Sequence, residues 1–157
     1  MTPRKCLAVA LAAAIPAALA QDNPAARRRA MDIASLGGQW NGANLENRSN
    51  CMTAGVNGIH GTYAQWFIIV DAPHGQLDIN EQTVTNLTCN YTGAFSESDR
   101  LLPSWIGSFS CSDGKRGTFQ SKSFLITPTE MQIRLQIKLE NSERCDIDSI
   151  LGGSRFF

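Results

Sequence analysis

Four cysteines, Cys51, Cys89, Cys111 and Cys145, are the residues of this 157-residue chain whose type and spacing most directly imply covalent chemistry. No two of them stand at the short spacing of zinc ligands, and an even, widely spaced set reads as two disulfides formed in an oxidising compartment. Two histidines are present, His60 and His74, and His74 sits in the turn Ala72-Pro73-His74-Gly75, where a solvated imidazole is the default. The chain has no His-Glu-x-x-His, no Gly-x-Ser-x-Gly and no Gly-rich phosphate loop. Asp146 and Asp148 flank Ile147 and share one strand face. That spacing suits a calcium or acid–base site, but a solvated outer face explains it more simply. Tyr91, Trp105 and Phe109 fall on the same parity as Cys89 and Cys111 in their strands, so the five share a face. The three aromatics are either core or the wall of a ligand pocket, and they are the candidate ligand-facing residues. No catalytic residue, metal ligand or cofactor site emerges.

The elements that must position these groups begin after an address segment. Arg4 and Lys5 precede an apolar run from Leu7 to Ala14, and Ala18-Leu19-Ala20 supplies a small-residue cleavage site. That layout predicts a signal peptide over residues 1–20, cut after Ala20, and hence a periplasmic or secreted protein, with an Ala-rich signal suited to a bacterial exporter. The run is too short to remain as a membrane anchor. Cleavage removes Cys6, Arg4 and Lys5, leaving 137 residues with 12 basic and 14 acidic side chains. This length suits one domain, and the near-neutral balance offers no electrostatic case for nucleic acid or an anionic membrane. Arg27-Arg28-Arg29 reads as an exposed face near the terminus.

Residues 21–36, with Met31, Ile33 and Leu36 ahead of Gly37-Gly38, predict a short helical lead-in to a domain spanning 37–157. Beyond Gly38 the pattern is strand and turn. Met131, Ile133, Leu135, Ile137 and Leu139 alternate with Gln132, Arg134, Gln136 and Lys138, the period of two of a half-buried strand. Further strands are predicted at 38–46, 60–71, 75–80, 83–93, 103–112, 115–126 and 144–156, which with 129–140 makes eight. Short links and no intervening helical pattern predict an all-β, antiparallel up-and-down barrel, with a β-sandwich as the alternative. The motifs at Asn47, Asn86 and Asn90 that match a glycosylation acceptor read as polar surface. The terminal Phe157 raises an outer-membrane barrel, but the residues behind it, Arg155 and Gly153, break the apolar alternation that such a last strand needs.

Gly38-Gln39-Trp40 opens the first strand and Gly152-Gly153-Ser154-Arg155 lies in the last. Here the chain resembles the lipocalin and avidin group of β-barrels, whose first strand starts with Gly-x-Trp and whose last sends a basic side chain across that Trp. The resemblance implies that Trp40 and Arg155 pack together at one barrel end and that the barrel binds a small apolar or amphipathic ligand. An inhibitor or interaction protein acting through its loops is the alternative function, and neither reading is enzymatic.

The meander also constrains the cysteines. Strands 83–93 and 103–112 are consecutive, and matched parity sets Cys89 opposite Cys111. Closing the barrel makes the first and last strands neighbours, so Cys51 just beyond the one meets Cys145 at the start of the other, spanning 94 residues. Segment 66–70, Trp-Phe-Ile-Ile-Val, is apolar on both faces. Something should cover its outer side, either the lead-in or a partner, including a second copy in a homodimer.

Overall fold

The computed structural model describes residues 35–96, 104–140 and 143–156. The expected signal peptide, the arginine run and most of the helical lead-in lie outside the described residues. Eight strands follow in order: β1 (Gly38–Ser49), β2 (Gly58–Asp71), β3 (Gln76–Thr83), β4 (Thr88–Ser96), β5 (Ser104–Cys111), β6 (Arg116–Ile126), β7 (Glu130–Leu139) and β8 (Asp146–Arg155). Each pairs antiparallel with the next, and β8 returns to β1 from Trp40↔Arg155 to Ser49↔Asp146, closing a barrel rather than a sandwich. Closure gives every strand two neighbours and leaves no edge to pair with another chain. Among the described residues there is no α-helix, and of the expected helical lead-in only the last two residues are described. Ser35 and Leu36 form a turn, and the helical turns among the described residues are two 3-10 turns, Ala54–Val56 and Ala72–His74.

Alternation decides what faces inward. Along β7 the apolar residues Met131 to Leu139 are buried, and the intervening Gln132, Arg134, Gln136 and Lys138 are exposed. The outer faces of neighbouring strands carry Asn80, Gln82, Asn90, Thr92, Ser108 and Gln120, all exposed. An apolar interior inside a largely polar outer surface is the inverse of a lipid-facing barrel. The departure is β2, where Trp66 and Ile68 enter the core while Ile59, Tyr63, Phe67 and Ile69 lie exposed on the outside. The lead-in expected to cover that side lies outside the described residues.

One end of the barrel is solid, and we call it the closed pole. The side chains of Trp40, Trp66 and Trp105 are all fully buried, and each indole N–H has an acceptor, as buried tryptophans require. Trp40 donates to the Leu36 carbonyl at 2.8 Å and Trp105 to the Leu77 carbonyl at 3.1 Å. The Arg155 guanidinium lies 4.4 Å from the centroid of the Trp40 ring. It also donates to the carbonyls of Gly37 (3.0 Å), Pro128 (3.2 Å) and Ser35. This one side chain therefore fastens the turn before β1 and the β6–β7 turn across the indole, combining a cation–π contact with charge-assisted hydrogen bonds.

Two backbone devices make room for these large groups. Gly93 and Gly107 are paired across β4 and β5, and a Cβ on Gly93 would meet the Trp105 Nε1 at 2.7 Å, so the indole fits only beside a glycine. In β6 the register with β7 slips between Ser121 and Ser123, the mark of a bulge. There the Trp105 backbone N–H donates to the Ser121 hydroxyl at 2.7 Å, a side chain standing in where the regular ladder stops.

Candidate ligand-binding mouth

The opposite end, formed by the last residues of β1, β3, β5 and β7 and the first residues of their partners, is hollow. A cavity of about 290 Å³ opens there, walled by Leu87, Phe109, Ile137, Leu139 and Ile147 and rimmed by Glu46, Arg48, His60, Thr62 and Lys115. The volume is close to the lower bound for small-molecule sites, roughly 300 to 1,000 Å³. Both disulfides stand at this end. Cys51–Cys145 ties the chain just beyond β1 to the residue leading into β8 across the barrel seam, and Cys89–Cys111 joins directly opposed residues of β4 and β5.

A polar belt separates the cavity from the closed pole. Glu81 on β3 is 2% exposed and lines the cavity. Its Oε1 accepts from Asn44 Nδ2 at 3.0 Å and Trp66 Nε1 at 3.3 Å, and its Oε2 accepts from the Tyr91 hydroxyl at 3.2 Å. Ser149 on β8 donates to Asn44 Oδ1 at 2.8 Å and so orients the amide toward Glu81. Burial pushes the Glu81 carboxyl above its ordinary range; hydrogen bonds from Asn44, Tyr91 and Trp66 pull the other way, and the charge of Glu46 adds to the rise. Burial likewise pushes the Tyr91 phenol well above its usual value, reinforced by Glu81, so it stays protonated as a donor.

The charges at the rim are matched among themselves. Arg48 donates through Nε and Nη2 to Glu46 Oε2 at 2.9 and 2.7 Å. Lys115 Nζ lies 2.6 Å from Asp113 Oδ2. His60 places Nε2 2.9 Å from the Val56 carbonyl, which requires the proton on that nitrogen. His74 sits outside the cavity in its surface turn, 2.7 Å from Asp71.

Of the residues singled out from sequence, Tyr91 and Phe109 line the cavity, stacked with ring centroids 5.5 Å apart. Trp105 does not: it lies in the closed pole against Phe119, at a centroid distance of 4.1 Å. Asp146 and Asp148 are at the outer surface of β8, with Asp146 accepting a hydrogen bond from Asn50. Among the described residues no group of three or more His, Cys, Asp or Glu is placed to hold a metal ion. Sequence reasoning missed Glu81 and Asn44. The strand predicted over 75–80 stops short of Glu81. Parity carried the signal, since Leu77, Ile79, Glu81 and Thr83 alternate onto the inner face.

No protein family matches this chain, and no curated protein matches it. Among solved structures it is similar to a redesigned β-barrel, with a TM-score of 0.50 and 12% identity over 80% of this chain and 96% of that one. A redesigned barrel bound to DFHBI aligns at 0.48 and 13% identity, over 79% of this chain and 98% of that one. A de novo fluorescence-activating barrel aligns at 0.41 and 12%, over 75% and 94%. The first likeness, with the strand order, sets the class: a small, closed, eight-stranded antiparallel β-barrel.

Proposed function

We propose that this chain is an exported, non-enzymatic binding protein that takes a small amphipathic ligand into the mouth of its barrel. The carrying observation is the cavity of about 290 Å³, apolar on its walls and polar at its floor. Such a surface matches a ligand with an apolar body and one polar head. Kinship with the lipocalin and avidin barrels belongs to the same reading and is supported by the Trp40–Arg155 contact. Export is supported by the two disulfides, which suit an oxidising compartment, and by the charged, apolar and small-residue layout of residues 1–20. No metal or cofactor is called for.

Native mass spectrometry of protein purified from its own host tests the reading. One small-molecule adduct per chain is expected, lost in Leu87→Trp, which fills the cavity from its wall. Protein that carries no adduct and gains none from a host extract would sink it. N-terminal sequencing of the exported form should begin at Gln21; a retained Met1 would remove the export step.

A second reading, a protein that docks through its surface, is favoured by the exposed outer stripe of β2, where Tyr63 is 72% and Phe67 54% exposed. A second copy or a partner on that stripe would bury it. Sedimentation at increasing concentration separates these cases: self-association abolished by Phe67→Ser supports a homodimer through residues 66–70, and a monomer throughout excludes it.

A further inference from the structure

The mouth holds one acid whose charge nothing nearby balances. Facing Glu81 are Asn44, Glu46 and Arg48 from β1, His60 and Trp66 from β2, Tyr91 from β4, and Lys115 from the β5–β6 turn at the rim. Arg48 is paired with Glu46, Lys115 with Asp113, and His60 with the Val56 carbonyl. Among the described residues no cation therefore reaches Glu81; its partners are three neutral donors. An ionised carboxylate has about four acceptor positions, and three are taken, which leaves one on Oε2. The carboxyl borders the cavity, and the walls beyond it are apolar.

A buried carboxylate with neutral donors alone is held at a cost that an opposite charge in direct contact offsets. An anionic ligand would face both Glu81 and Glu46. A neutral alcohol would gain only an ordinary hydrogen bond. We infer that the ligand of this mouth carries a protonated amine, which binds the Glu81 carboxylate while its apolar body lies against Phe109, Leu87 and the β7–β8 wall. The inference rests on the reading of the mouth as a ligand site. Where Glu81 starts as the acid, the exchange is balanced: the ammonium enters with its proton, the carboxyl gives up one proton to solvent, and an ion pair remains. Asn44, Tyr91 and Trp66 are positioning residues in this scheme, since their bonds aim the carboxylate at the cavity.

Calorimetry with three probes of one skeleton, 2-phenylethylamine, 2-phenylethanol and phenylacetate, tests it on the intact chain. The amine is expected to bind about 10- to 100-fold more tightly than the alcohol, the range of an ionic hydrogen bond in place of a neutral one. Repeating the titration in buffers of different ionisation enthalpy should show proton release that grows as the pH is lowered toward and below the raised Glu81 value. Glu81→Gln should lose both the amine preference and the proton release. If that variant does not fold, the probe series and the proton count on the wild-type chain decide alone. Equal binding of amine and alcohol, or preference for phenylacetate, overturns the amine inference and leaves the mouth a ligand site. If no probe binds, the amine inference falls, and native mass spectrometry then shows whether the binding reading falls with it, by the presence or absence of a retained adduct.

Discussion

The two ends of this barrel are stabilised by different means. At the closed pole, three buried indoles fill the interior and the Arg155 guanidinium caps one of them, so packing and hydrogen bonds suffice. At the mouth the interior is partly empty and interrupted by Glu81, Asn44 and Ser149, and there both disulfides are found. A cavity forfeits the dispersion contacts and apolar burial that a filled core supplies. Cross-links act instead on the unfolded chain and need no side chains in the space they enclose. The difference shows how a small barrel keeps one end open without losing its closure.

Five measurements sharpen or break that contrast. The largest effect is expected at the seam: replacing Cys51 and Cys145 by Ala releases a loop of 94 residues, for a loss of about 5 kcal/mol in the chain-entropy account. The equivalent change at Cys89 and Cys111, 22 residues apart, should cost about 3 kcal/mol. Denaturant midpoints in the reverse order would mean that strain or residual structure, not loop length, governs the mouth. At the closed pole, Trp40→Ala should destabilise by about 3 to 5 kcal/mol. Combined with Arg155→Ala its loss should be less than additive, because the two share one contact; strict additivity would break the account of that pole.

A smaller, pH-dependent effect belongs to Glu81. Its carboxyl binds a proton more tightly folded than unfolded, so its contribution to stability is complete below the ordinary carboxylate value of 4.5 and is lost as pH rises through the raised folded value. Unfolding curves across that window should show the decline in wild type and its absence in Glu81→Gln. An unchanged slope would mean that Glu81 does not carry it. The smallest effect is expected outside the barrel, where Phe67→Ser at a 54% exposed position should change stability by about 0.5 kcal/mol or less. A large loss there would reveal a cover over β2.

Much of the fold was legible because a closed meander repeats one rule. Alternation along 129–140 anticipated β7 to within a residue, and the closed strand order follows from short links with no helical period between them. The weakest boundary lay between β3 and β4. Thr83-Val84-Thr85 is β-branched and reads as strand, yet the chain turns there through Asn86 at φ 63°, a left-handed conformation that Asn tolerates. The Thr83 hydroxyl accepts the Leu87 N–H and fixes that turn, a local bond that residue type alone does not announce. The same misplaced turn hid Glu81. A charged residue in a polar run is ordinarily solvated, and only the inward parity of Leu77 and Ile79 carried through to position 81 shows otherwise. Trp105 shared a face with Tyr91, but a shared face does not say how deep along the barrel a side chain lies.

Arg155 has a further consequence through what it grips. By holding the Gly37 and Ser35 carbonyls from the end of β8, it brings the first and last described residues of the chain to the same pole. Ser35 and Phe156 therefore both lie on the side opposite the mouth. A domain or tag joined directly to the barrel beside Ser35 or Phe156 would present it with its opening turned away from the attachment, like a cup held by its base.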